Sequence, residues 1–506
     1  MESMTNLVRA IAGTAAIVML AGLTACGGAS GRSADGELRV AITVGPLGGW
    51  DPVGWTWDGY TVLEEAAYDS LLQSGTEGYV PGLAESWGWE GPLKFNLSVR
   101  PNVKFADGAE LDADVVKANI ERFQSSSNRF APRLASITGI ETDGDLGVSF
   151  TLDTPQPDLE RLLSQAPGLM VSPAAIADPS ILVGAPAGIG PYTLDASQST
   201  TDVRYAFQKN PDYWNADTVG FESLVIDIQA DRQASFNALQ AGQLDLVWGV
   251  AENVETAIAS DLTVNELPGV PLLLAVLDSA GTTNPALGDL RVRQAMNFAI
   301  DREAIASSVL PGRPTSVPYS SQTEAYDSRL EGVYGFDPDK ARSLLAAAGY
   351  ADGLALTLTA TPDLADVASA VAAYFAEVGI ELGIETLPLQ EYVNALVAGN
   401  LPMILGRATS QSAAVDIQAT TFPDGGRNPF ANSIDRVVEL WEQAVAQEAV
   451  QRQQSFQNIT RIVQEQAWFV PVEEETFYYF SSPAIAGIYA PPGYIMPSLR
   501  LMQPAG

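Results

Sequence analysis

The run LRVRQAMNFAIDREAI (residues 290–305), followed after a loop by YGFDPDKARSLLAAAGY (residues 334–350), spells three short helices with polar stops between them. Asp289 stands where a carboxylate can accept from the free N–H groups of the first helix. Val292, Ala295, Met296, Ala299 and Ile300 then recur at the spacing of one apolar helical face. Asp301 restarts the pattern, with Ile305 and Val309 turned inward until Pro311 and Gly312 stop it. Asp337 and Pro338 open the third helix as a cap and a proline at the first helical position, where the missing N–H costs nothing. Ala341, Leu344, Leu345 and Ala348 make its buried stripe, and Gly349 ends it.

On either side of this helical block the pattern alternates between strand and helix. Upstream, a strand over 221–228, a helix over 232–241 and a short strand over 244–247 form the unit of a parallel crossover. Downstream, strands over 354–359, 380–387 and 402–405 alternate with helices over 367–378 and 391–398, followed by amphipathic helix over 440–466 and a strand over 468–479. Ligands of such sheets sit beyond the carboxyl ends of the strands. That rule makes Trp248 a cleft residue. It also draws attention to the segment 406–422, which follows a strand directly. Trp50, Trp55 and Trp57 lie in a Gly/Pro-rich loop after the first strand (38–44), where indoles serve either to pack domains together or to stack on a ligand. Trp50 is carried forward as a ligand residue.

Several segments resemble one known family. They are the helical block itself, YDSLLQSGTEGYVPGLAESW (68–87), PNVKFADGAELDADVVKANIERF (101–123), GIGPYTL (188–194) and KNPDYWNAD (209–217). Together they resemble the extracytoplasmic solute-binding proteins of ABC importers, family 5, whose ligands are peptides, nickel complexes and related solutes. The resemblance runs from about 68 to about 487. It implies an α/β, two-lobed periplasmic-binding-protein-like fold of the large type, with a hinge and an inserted subdomain. The implied layout is lobe I from 37–60, 185–268 and 484–506, an inserted subdomain over 61–184, and lobe II over 269–483. The implied function is capture of a polar solute between the lobes and its delivery to an importer permease by a monomeric receptor.

One departure bears on the ligand. Peptide-binding members have Gly-Trp-x-x-Asp after the strand that ends here at Leu405, and the Asp pairs with the peptide ammonium. This chain reads Gly406-Arg407-Ala408-Thr409-Ser410. A buried ammonium without a carboxylate is strongly disfavoured, whereas arginine suits carboxylates, phosphates and sugar hydroxyls. Arg407 and Ser410 are therefore expected at the ligand. Asp416 is the acid that would replace the missing anchor if the loop bends toward it, and otherwise caps a helix. Peptide-like compounds, oligosaccharides and other small polar solutes all remain open.

Composition narrows the classes. The 506 residues leave room for about two to four domains. With 61 acidic and 27 basic residues the net charge is −34, and no basic face offers itself to nucleic acid. There is no histidine, which removes the usual zinc and nickel ligand and the usual general base; no cofactor or metal is expected. The single cysteine, Cys26, ends an apolar run (11–20) in Leu23-Thr24-Ala25-Cys26. This resembles a bacterial lipobox, so residues 1–25 read as a lipoprotein signal peptide, Cys26 as the lipidated residue anchoring the chain to the outer face of the cell membrane, and 26–36 as a flexible tether. Two other classes stay in view: a secreted hydrolase working with paired carboxylates, for which no motif selects a pair, and a ligand-sensing receptor for a membrane partner.

Overall fold

The computed structural model describes residues 36–505 except 47, 56–59, 77, 129, 409–411, 424, 448, 492 and 493. The expected signal peptide, Cys26 and Ser410 lie outside the described residues. The three helices of the central block span Leu290–Ala299, Arg302–Ser308 and Pro338–Ala347. Each begins at an aspartate whose carboxylate accepts a backbone N–H: Asp289 from Arg291 at 2.8 Å, Asp301 from Ala304 at 3.1 Å and Asp337 from Lys340 at 2.9 Å. Gly349, at φ +94°, takes the left-handed turn that ends the third. Replacing Asp337 by Ala is expected to cost about 1 kcal/mol of stability. A shift in the denaturant midpoint with an unchanged slope would register it, and an unmoved midpoint would mean that the cap contributes nothing.

Two strands carry the chain between the lobes. The outgoing one spans Thr263–Val276 and the returning one Phe469–Ser481, paired antiparallel along their length from Thr263↔Ser481 to Ala275↔Phe469. The returning strand is longer than the sequence pattern indicates. The outgoing strand starts at Thr263, still within the segment assigned to lobe I, because its first half is already bonded to the returning strand. The returning strand, expected to close lobe II only, runs on into lobe I to pair with Leu246–Trp248. The register between the two strands shifts twice, between Pro268 and Pro271 and again between Leu272 and Leu273. Such bulges bend and twist a strand pair, and here they lie where the lobes meet. Arg302, from the sequence DREA, fixes the second of them. Its guanidinium is buried and donates to the carbonyls of Pro471 (2.7 Å), Tyr334 (2.7 Å) and Asn297 (3.1 Å).

These strands join both lobes into one eleven-stranded sheet. In order it runs 380–386, 354–360, 403–407, 263–276, 469–481, 246–248, 37–42, 223–228, 204–209 and 192–194, with 312–314 also on the returning strand. Within lobe I the strands 37–42, 223–228 and 246–248 are parallel; within lobe II so are 354–360, 380–386 and 403–407. The carboxyl ends of each set are the ends at which α/β domains receive ligands. Lobe I packs around Leu38, Val40, Leu224, Ile226 and Leu246, and lobe II around Leu272, Leu274, Met296, Leu358, Phe375 and Val470.

A third core belongs to the inserted subdomain, where an antiparallel sheet ordered 84–89, 94–99, 147–152, 137–143 is covered by the helix Ala113–Gln124. The helix Thr61–Ala67, assigned to this insertion on sequence, packs Val62, Leu63, Ala66 and Ala67 into the lobe I core instead. So do Leu169, Val171, Ala175 and Leu182 from its other end. The insertion therefore leaves and re-enters lobe I through segments that lobe I itself buries.

Candidate functional site

The sheet places its site-forming side chains by strand alternation. From Glu473 to Ser481 the returning strand itself carries no extra residue, the shift between Pro268 and Pro271 falling in the outgoing strand, so Glu473, Glu475, Phe477 and Tyr479 share one face. Glu475, Phe477 and Tyr479 each hold a partner. Glu475 is gripped by Arg407, with Nε–Oε2 at 2.8 Å and Nη2–Oε1 at 2.9 Å, and Arg407 Nη1 also donates to Asp363 at 2.6 Å. Burial alone would lower the Arg407 pKa, but the hydrogen bonds and charge of Glu475, then of Asp363, outweigh it and hold it above the ordinary value. Arg407 is thus committed to two carboxylates, with its side chain 37% exposed. It is the last residue of its strand, Met403–Arg407, rather than part of the loop beyond.

Beside Arg407 a cavity of about 320 Å³ enters lobe II. Leu273, Ala275, Leu277, Leu364, Leu396 and Phe469 supply its apolar wall, and Tyr392, Asp416 and Arg427 its polar groups. Asp416 is 2% exposed and sits in the first turn of the helix Ala413–Thr421. It does not cap that helix: Ser412 does, accepting from Val415. Arg427 donates to the carbonyl of Arg407 at 3.2 Å. Burial lowers its pKa, and the charge of Asp416, then Tyr392, works against that shift. The cavity therefore pairs an apolar wall with one carboxylate and the guanidinium groups of Arg407 and Arg427, the composition of a small-molecule site.

Trp248 closes its strand in lobe I and lies half-buried against the returning strand, nearly parallel to Tyr479 (17°, centroids 6.1 Å) and edge-on to Phe477 (5.6 Å). The Arg232 guanidinium sits over its ring, 3.7 Å from the centroid, so that part of the indole is already covered. Trp50 is corrected more fully. It is 3% exposed, among the rings of Tyr205 (5.1 Å), Phe207 (5.9 Å) and Trp55 (6.4 Å) in the lobe I core, with no face toward the cleft. Trp55 lies there too, at 1% exposure.

Of the five ligand residues expected on sequence, Arg407 and Asp416 meet at one cavity, Trp248 stands on the lobe I side, Trp50 is core, and Ser410 lies outside the described residues. Arg427 and Arg232 were missed. Arg232 follows the carboxyl end of the parallel strand Ser223–Ile228, and that position was the available signal. Glu473 was missed as well. It is fully buried, neither of its oxygens has a hydrogen-bond partner, and its pKa is pushed up to about 8 by burial, then by Glu475, against a smaller opposing pull from Arg407.

Two α/β lobes on a shared sheet, joined by two crossing strands, with cavity and charged groups at the strand ends, define the two-lobed binding-protein class. Residues 78–429 match the bacterial extracellular solute-binding proteins, family 5 (middle region), and the chain belongs to that family. It is similar to the glutathione-binding protein GsiB of Salmonella paratyphi A, 28% identical over 274 residues, 53% of this chain and 52% of the relative. The chain thus spans about half the length of the curated relatives it matches. Among solved structures, the ABC transporter substrate-binding protein CtaP of Listeria monocytogenes superposes with a TM-score of 0.81 at 18% identity, over 93% of this chain and 99% of that one. The periplasmic binding protein DppA of Helicobacter pylori, in complex with the peptide STSA, superposes at 0.73 and 20%, over 93% and 98%. These two likenesses carry the fold. Among the described residues no helix is long and apolar enough to cross a membrane.

Proposed function

We propose that this chain is a lipid-anchored extracytoplasmic receptor that captures a small peptide-like solute between its lobes and delivers it to an ABC importer permease. The observation that carries the ligand class is Asp416, a buried carboxylate lining the lobe II cavity beside an apolar wall. It offers the acid that Ser410 does not, and a peptide ammonium is the group such an acid stabilises in a dry cavity. Arg407 uses three of its five N–H donors on Glu475 and Asp363, which leaves donors for a ligand carbonyl. The name of the GsiB relative agrees with a small peptide-like solute. Cys26 is the residue that would carry the lipid, and closure of the lobes around the solute would present the importer with one defined surface.

Native mass spectrometry of the purified chain, followed by denaturation to release its cargo, tests the ligand class. A solute with a free amine is expected, and a neutral sugar would overturn the reading of Asp416. Asp416→Asn should weaken the amine-bearing solute roughly tenfold or more in titration calorimetry.

A further inference from the structure

Arg232 is the first residue of the helix Arg232–Gln240. That is the positive end of the helix dipole, where a cation is unfavourable. Its cap, Asp231, accepts from the backbone of Gln233 and Ala234 (2.9 and 3.0 Å) rather than from the guanidinium. The side chain is half-buried over Trp248, and among the described residues nothing accepts a hydrogen bond from it. Burial lowers its pKa. The charge of Glu475 raises it, and that of Arg407 lowers it, so Arg232 lies within electrostatic range of the Arg407–Glu475 pair. A planar group with five donors and no acceptor, held against a ring at a site its own helix disfavours, breaks local rules in the manner of a functional residue.

We propose that Arg232 is a specificity-determining residue that receives the solute's carboxylate from lobe I, so that the bound solute is a zwitterion spanning the cleft. This rests on the reading of Asp416 as ammonium partner in lobe II. A carboxylate fits the guanidinium fork with two parallel hydrogen bonds, and the stack on Trp248 fixes the fork before the solute arrives. In the empty cleft the charge of Arg407 opposes the approach of Arg232. A carboxylate between the lobes removes that opposition, which makes closure depend on an acid-bearing solute.

The test is calorimetry on the full-length chain and its Arg232→Gln and Arg232→Lys variants with four probes: trialanine, trialanine amide, glutathione and maltotriose. The expected result is that trialanine or glutathione binds the native chain and binds Arg232→Gln roughly 30-fold more weakly or worse. Arg232→Lys should fall between the two, since it keeps the charge and loses the fork. If trialanine is the binder, its amide should lose a similar factor on the native chain and little on Arg232→Gln. Because no described residue accepts a hydrogen bond from Arg232, the variants should keep the native unfolding midpoint, which separates lost recognition from lost fold. Equal affinity in Arg232→Gln, or binding of maltotriose alone, overturns the role of Arg232. Equal affinity for trialanine or glutathione leaves peptide capture standing. Binding of none of the four overturns the proposed ligand class, and this inference with it.

Discussion

Arg500→Met is expected to lower the stability of the chain by about 3–5 kcal/mol. Arg500 lies near the end of the sequence, yet its side chain, only 14% exposed, sits in lobe I between two buried acids, donating to Glu65 at 2.8 Å and to Asp69 at 3.2 Å. Those acids are themselves committed. Glu65 accepts from Ser498 Oγ at 2.8 Å, and Asp69 accepts from Tyr213 Oη, Trp214 Nε1 and Gln73 Nε2, each at 2.8 Å. Burial would lower the Arg500 pKa, but the charges of Glu65 and Asp69 outweigh it. Removing the guanidinium strands two carboxylates away from water, which is why breaking such a cluster costs far more than the cluster contributes when intact. A deficit below about 1 kcal/mol in denaturant titration would show that water reaches the acids.

The second large effect concerns Glu473, and its sign is opposite to that of an ordinary salt-bridged acid. The folded chain holds this proton up to about pH 8, whereas the unfolded chain releases it near pH 4.3. Between those values the folded state binds more protons, so stability falls as pH rises, and the loss is complete above about pH 8. Glu473→Gln keeps the shape without the charge. Its stability should match the native chain near pH 4.5 and exceed it by about 2–4 kcal/mol at pH 8 and above. The backbone of Gly312 lies so close to the carboxyl that a Cβ there would come within 2.9 Å of it, which leaves little room for a hydrating water. Parallel stability curves for variant and native chain across this range would mean that Glu473 is ionised in the fold.

Much of the fold was legible because it is written locally. The caps at Asp289, Asp301 and Asp337 and the apolar stripes behind them need only neighbours three or four residues away. Glu473 was hidden because three consecutive glutamates read as a solvated strand, whereas two of them, Glu473 and Glu474, are buried. The site was less legible because its partners are distant. Arg407 reads as a free cation until Glu475 and Asp363, 68 and 44 residues away, are brought against it. Trp50 reads as a cleft residue until Tyr205 and Phe207, some 150 residues on in the sequence, close around it. The length of the returning strand failed for the same reason: it extends as far as its partners pair with it, and no local pattern records that.

The order of strands in the shared sheet has a consequence for how the chain is made. The strand Glu37–Ile42 lies in the sheet beside Leu246–Trp248, which in turn pairs with Phe469–Ser481, and the acids at 65 and 69 wait for Arg500. Residues from the first seventh of the chain are thus completed by residues from its last tenth. During synthesis the N-terminal lobe stays open until the ribosome has passed residue 500, and the lobe II core, whose strands and helices lie between 272 and 472, has all its parts sooner. A chain truncated shortly before Arg500 should therefore keep lobe II contacts and lose the first lobe, which makes the C-terminal residues the latch of the assembly rather than its tail.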